Sequence, residues 1–288
     1  MTQSQFVGSS AAPALARIFG DYMSEHSIDM LQLSLISFVF WNILNIIVFQ
    51  LPIPDSKLPR NDYLDLRNRI TSFVHGVTIL ILAGYNTYFV HSSCGENNTR
   101  YEEIVMATST GYFTYDLVAM IYLGICDRSM LIHHILCISG LVSAQFSGFA
   151  AEILVGALFL TEISNPAMHF RVILKHLGKR YTKAYESSEI TYIAMYIFGR
   201  IFLGVPVLYR TWMCPSDHIV VKLMGSGIWI QSVNFMITMI KILKSRAVEY
   251  AERKQKNVKL KWFEPLTKDE LDKIEAYKKK SNVKQYVP

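Results

Sequence analysis

Stretches of about twenty mostly apolar residues recur along this chain, and Lys, Arg, Asp and Asn gather in the shorter segments between them. Seven such stretches are delimited by this pattern, at residues 30–51, 69–90, 104–123, 130–147, 150–170, 191–213 and 219–243. Each is long enough to cross a hydrocarbon layer as a helix, and their number argues against a soluble fold, which would have to bury all of them. An all-α, polytopic membrane protein is therefore expected. Only Gly148 and its neighbours separate the fourth stretch from the fifth. That tight reversal must still satisfy its backbone, and a bent or re-entrant pair remains an alternative reading.

Composition agrees with the pattern: 51% of the 288 residues are hydrophobic and 18% charged. The net charge of +6 is unevenly placed. Lys and Arg concentrate in the connections 52–68, 124–129 and 171–190 and after residue 243, whereas Arg17 and Arg100 are almost alone in the opposite set. By the positive-inside rule the carboxyl terminus is expected in the cytosol and the amino terminus on the far side. The sequon Asn97-Asn98-Thr99, with Asn97 as glycosylation candidate, falls in a far-side loop. Cys94 and Cys214 are the two cysteines in far-side connections, where an oxidising lumen would let them pair; four unrelated thiols is the competing reading.

Four segments follow: a non-cytosolic stretch 1–29, a first transmembrane helix 30–51, a helical membrane domain 60–245 and a basic tail 246–288. No cleavable signal peptide is evident. The first residues weakly resemble a mitochondrial presequence, which leaves a mitochondrial membrane as an alternative location, but Asp21, Glu25 and Asp29 oppose it. In the tail, Thr267 and Glu270 form a capping-box pattern that predicts a short helix from Lys268 to about Lys280. The basic residues near the last span, Lys244, Arg246 and Arg253 among them, suit topology anchoring or anionic headgroups.

The informative residues are polar ones inside the spans, because such groups are costly in lipid and are kept for pairing, for a pathway or for a site. They are His75, Asp116, His133, His134, Glu162, Asn165, Arg200, Gln231 and Asn234. His75 lies six residues in from Arg69, about 9 Å at 1.5 Å per residue; Asp116, Glu162, Arg200 and Asn234 lie at comparable depth from the same side. Six helices running in alternating directions thus place their most polar residues in the cytosolic half of the membrane. One buried, hydrated cavity explains this economically; interhelical polar packing is the alternative. Tyr112 and Asp116 share one helix face, as do Glu162, Asn165 and His169, and Pro166 should kink its helix and free carbonyls. Taken singly, His75 and Asn234 suit packing contacts, and His169 suits a solvated interface position.

The neighbours His133 and His134 are the feature most suggestive of chemistry. They diverge by about 100° around a helix, so one can face a cavity while the other is held elsewhere. A histidine oriented by a carboxylate can act as base, acid or nucleophile near neutral pH. No compact ligand spacing supports a metal, and neither a metal nor a nucleic-acid partner is expected.

Six strings in order, RNRITSFVHG at 67–76, TGYFTYDL at 110–117, LIHH at 131–134, TEISNPAMHFR at 161–171, FGRIF at 198–202 and QSVNFMITMIKI at 231–242, resemble the TLC-domain family. That family includes ceramide synthases, the translocating-chain-associated membrane protein and a ceroid-lipofuscinosis protein. The glutamate-then-proline pattern Glu162-Ile163-Ser164-Asn165-Pro166 is most similar to the small TLC-domain-containing transmembrane proteins. Ceramide synthases continue from the paired histidines to a further His-Asp, where this chain reads Phe159-Leu160-Thr161-Glu162. The resemblance implies a six-helix core behind one extra helix, an endoplasmic reticulum location, and a lipid-binding cavity serving lipid homeostasis. Its alternative is an N-acyltransferase of ceramide-synthase type, with acyl-CoA as substrate, His133 or His134 as the reacting imidazole, and Arg69, Arg171, Lys175, Lys179 and Arg180 facing the anionic headgroup. A proton-coupled carrier and a structural subunit of a larger membrane assembly are further alternatives. No cofactor is expected.

Overall fold

A computed structural model describes residues 24–53, 58–90 and 92–280 of the chain. The far-side segment expected at 1–29 lies outside the described residues up to residue 23, as do the last eight residues of the tail. Among the described residues ten α-helices follow one another: α1 Glu25–Gln50, α2 Arg60–Phe89, α3 Arg100–Leu123, α4 Arg128–Ser147, α5 Ala151–Glu162, α6 Asn165–His176, α7 Lys183–Tyr196, α8 Gly204–Met213, α9 Ile219–Gln255 and α10 Lys268–Lys280. Helices α5 and α6 form one bent span, and α7 and α8 form another through a π-helical turn at Ile197–Phe202. Seven spans among the described residues are long and apolar enough to cross a membrane, and the all-α polytopic fold is the one expected.

Large apolar side chains cover the outside of the bundle; on α1 alone Ile36, Val39, Phe40, Ile43 and Ile46 are exposed. Acyl chains are the solvent such a surface suits. Inside, Trp41, Ile79, Val105, Met106, Phe113 and Val155 form the principal apolar core. The first helix is held against α3 at close range. A Cβ on Gly111 would stand 2.4 Å from Ser37 Oγ, so only glycine lets Ser37 Oγ and Trp41 Nε1 both donate to the Thr108 carbonyl, at 2.9 and 3.1 Å.

Helix ends in lipid need partners for their free carbonyls and amides. Arg67 of α2 reaches back to the last turn of α1, donating to the Val48 and Leu51 carbonyls at 2.7 Å each. The tight reversal between α4 and α5 is a true turn between two spans. Gly148 and Ala150 adopt left-handed φ values of 76° and 75°. Asn98, from the preceding loop, then serves both sides: its side-chain amide donates to the Ala144 carbonyl (2.9 Å) and its side-chain oxygen accepts from Ala151 N–H (2.9 Å).

Four boundaries differ by six residues or more from those the apolar pattern predicts, for one reason. Charged or polar helical turns extend beyond the apolar windows, so α2 starts at Arg60 instead of residue 69, α6 runs to His176 instead of 170, α7 starts at Lys183 instead of 191, and α9 continues to Gln255 instead of 243. Ion pairs hold these extensions: Arg246 with Glu189 (2.6 Å) and Glu249 (2.6 Å), and Arg253 with Glu186. The chain then doubles back. The Lys261 and Trp262 carbonyls accept from the first free amides of α7, Lys183 N–H at 2.8 Å and Ala184 N–H at 3.1 Å. Val258, Leu266 and Ile274 form a small apolar cluster beside them.

At the other end of the bundle Cys94 and Cys214 are disulfide-bonded, with Cα atoms 5.8 Å apart and 120 residues between them. Closing so long a loop is expected to stabilise by up to about 5 kcal/mol; reduction should lower the thermal midpoint of the purified protein, and Cys214→Ser should abolish that sensitivity. Asn98→Ala should destabilise by about 1–2 kcal/mol, because it leaves the Ala151 amide without a partner, while the Ala144 carbonyl keeps the Gly148 N–H and Ser147 hydroxyl.

Candidate functional site

The deepest polar contact joins α3 to α4. The Met130 carbonyl can only accept, so His134 Nδ1, 2.8 Å away, carries the hydrogen that bonds them. The other ring nitrogen, Nε2, is 2.9 Å from Asp116 Oδ2. That contact needs a proton on one side or the other, so the two residues share a single proton as imidazolium and carboxylate or as imidazole and acid. Asn68 Nδ2 donates to the second carboxyl oxygen (2.7 Å), and Tyr115 Oη donates to Asn68 Oδ1 (3.2 Å). Asp116 and His134 are 4% and 1% exposed, which makes their mutual pairing obligatory.

A second polar group is built where α5 breaks before Pro166, whose missing N–H cannot continue the helix. The π-helical turn lies directly against this break: a Cβ on Gly199 would stand 2.5 Å from the Leu160 carbonyl. That close approach carries the neighbouring Arg200 to the Thr161 carbonyl (2.9 Å) and Asn165 Oδ1 (3.3 Å), with its guanidinium 5.0 Å over the Tyr196 ring. Glu162 stands across the break, its Oε2 only 3.3 Å from where a Cβ on Gly76 would be. One residue earlier on α2, His75 stacks on Tyr112 at 3.5 Å between ring centres, nearly parallel at 8°.

These groups line one cavity of about 480 Å³. His75, Tyr112, Asp116, His133, His134, Glu162, Asn165 and Arg200 all face it, together with Gln231. Asn234 does not. Gln231, Phe235 and Thr238 follow one row of α9 toward the cavity, and Asn234 is turned off that row onto the exposed side of the helix. His169 is a second departure: expected at a solvated interface, it is 6% exposed and lines the cavity, because α6 continues past it for two more turns. The mouth is basic, with Arg69, Arg171, Lys175 and Arg180; Lys179, expected among them, is not in the lining.

Asn68, His176, Glu189 and Arg246 also line the cavity, and the sequence reading missed them. They lie in the helical extensions that it assigned to loops and tail. One local signal was present: Asp65 and Arg69 are spaced i,i+4 and pair at 3.0 Å, and His176 Nε2 is 2.8 Å from the other oxygen of Asp65. Among the described residues no group of three or more His, Cys, Asp or Glu side chains is placed to share a metal ion.

A smaller cavity of about 130 Å³ adjoins the first. Its lining is almost wholly apolar, with Leu136, Leu154, Leu158, Leu208, Met224 and Trp229, and glycines at 140, 204 and 225. Phe113, His133, Glu162, Arg200 and Ser232 border both spaces. The site is thus a polar chamber with one apolar arm.

Fold and site together describe a polytopic helical membrane protein with a polar intramembrane cavity. The sequence model of the TLC domain matches residues 65–243, and the chain belongs to that family. It is 28% identical over 153 residues to TLC domain-containing protein 1 of Gallus gallus, covering 51% of this chain and 58% of the relative. It is 24% identical over 172 residues to TLC domain-containing protein 2 of Danio rerio, covering 56% of this chain and 67% of the relative.

Asp116→Ala should destabilise by about 3–5 kcal/mol, because His134 and Asn68 lose their buried partner. If the two residues act as one unit, Asp116→Leu combined with His134→Phe will lose less than the sum of the single changes; strict additivity in denaturation experiments would contradict the shared-proton pair.

Proposed function

We propose that this TLC-domain protein holds a membrane lipid, with the headgroup in the polar chamber and an acyl chain in the apolar arm, and acts through it in lipid homeostasis. The observation that carries this reading is that a polar and an apolar cavity lie side by side and share His133, Glu162 and Arg200 in their walls. A polar space of about 480 Å³ beside an apolar one of about 130 Å³ matches the two halves of an amphiphile. Unmet hydrogen-bonding capacity supports it as well. His75 Nε2, His169 Nδ1, Arg171 Nε and Arg200 Nε are buried without a protein partner, and groups of this kind call for a ligand or ordered water.

A second reading, acyl transfer from acyl-CoA to an amine, is favoured by the Asp116–His134 contact, which has the form of a carboxylate-oriented imidazole. Under either reading the protein resides in the endoplasmic reticulum membrane with its amino terminus lumenal and its tail cytosolic. The Cys94–Cys214 bond, which needs an oxidising compartment, and the basic residues at the opposite end support that orientation.

Mass spectrometry of gently purified protein is expected to find one lipid class enriched over the surrounding bilayer, and reduced by Arg200→Ala or Glu162→Gln in protein that still folds. Bulk lipid alone in the wild type would reject the reading. The arm gives a sharper test. A Cβ on Gly225 meets nothing closer than Leu208 Cδ1 at 4.0 Å, so Gly225→Leu adds bulk to the arm without displacing backbone. Bound lipid in this variant should shift toward shorter acyl chains.

A further inference from the structure

The wall of the apolar arm contains a nucleophile that lipid holding alone does not use. Cys137 lies one turn beyond His133 on α4, with its sulfur 3.6 Å from His133 Nε2. The tautomer of that imidazole follows from its other side. Gln231 Nε2 donates to the Ser129 carbonyl (2.8 Å) and lies 3.1 Å from Ser129 Oγ, so Gln231 presents its amide oxygen to His133 Nδ1, at 3.3 Å. Nδ1 therefore carries the hydrogen, and Nε2 turns its lone pair toward the thiol. Nucleophile, base and an amide that orients the base stand in series.

The surroundings suit a carbonyl substrate. Cys137 and His133 both line the apolar arm, and Arg200 lines the same junction with a buried Nε that has no partner in the protein. Arg200 is 8% exposed, and it shares the lining of this cavity with Cys137 and His133. A long acyl chain lying in the arm would bring its carbonyl to this point.

We propose that Cys137 is an acyl-acceptor site: an acyl thioester enters the cavity pair and transfers its acyl group to the Cys137 sulfur. The proposal rests on the lipid-holding reading, since it uses the arm as the chain site. In the step, His133 Nε2 takes the Cys137 proton as the sulfur adds to the carbonyl carbon. The carbonyl electron pair moves onto oxygen, where the Arg200 guanidinium opposes the developing charge. Collapse re-forms the carbonyl and breaks the bond to the donor's sulfur, which leaves with the proton held by His133. One thioester replaces another, and no oxidant or reductant takes part.

The test uses the full chain in lipid nanodiscs with palmitoyl-CoA as the probe. Intact-mass measurement and peptide mapping should find a single hydroxylamine-labile palmitoyl group on Cys137. The half-buried loop thiol of Cys126 is the internal control and should react at least about tenfold more slowly. His133→Gln should slow acylation by about 100-fold while leaving the adduct on Cys137. Cys137→Ser, which keeps the size of the side chain, should lose the labile adduct. Equal labelling of Cys126, an adduct on a histidine, or no adduct in protein that still co-purifies with an enriched lipid class would overturn the proposal and leave the lipid reading standing. Loss of both lipid enrichment and adduct in the wild type would overturn the two together.

Discussion

In a bilayer each backbone and side-chain polar group has to find its partner inside the protein, and this fold is organised by that demand. Where a helix ends within the bundle, a side chain from elsewhere meets the exposed groups: Arg67 at the close of α1, Asn98 at the α4–α5 reversal, Arg200 at the Thr161 carbonyl. The contacts that close the backbone's hydrogen bonding are also the ones that tie distant helices together. Apolar matching contributes less to specificity in lipid than in water, because acyl chains compete with it. Such polar fastenings therefore select the arrangement.

The same demand produces the cavity. The break ahead of Pro166 and the widened turn at Ile197–Phe202 are two departures from regular helix that face each other. Each leaves groups unsatisfied, and together they bring Glu162, Asn165 and Arg200 into one place. Irregular helix at membrane depth is tolerated where it lines a polar space, and departures of the π type recur at functional positions. The irregular turns wall both spaces: Glu162 and Arg200 line the chamber and the arm alike.

The seven spans were legible because a membrane helix declares itself through length and apolarity, and the chamber residues were legible because a charge inside such a window stands out. His75, Asp116, His134, Glu162 and Arg200 could be named for that reason. Asn68, Glu189 and Arg246 could not, since their surroundings are polar in sequence and read as connecting segments, whereas ion pairing continues the helices through them. Azimuth was the other gap. Gln231 and Asn234 have equal claims by composition, and only packing against α4 decides that the first turns inward. Likewise, nothing in the string Ile197-Phe198-Gly199-Arg200 announces the extra residue per turn that carries Arg200 to α5.

The cross-link between Cys94 and Cys214 unites the loop after α2 with the end of α8, and Arg210 pairs with Glu152 close by. That rim of the bundle is riveted. The opposite rim is joined by ion pairs, Arg246 with Glu189 and Arg253 with Glu186, and by a returning segment of the tail. The covalent tie thus stands at one rim, and the large cavity lined by Arg69, Arg171, Lys175 and Arg180 belongs to the rim whose fastenings are all noncovalent among the described residues.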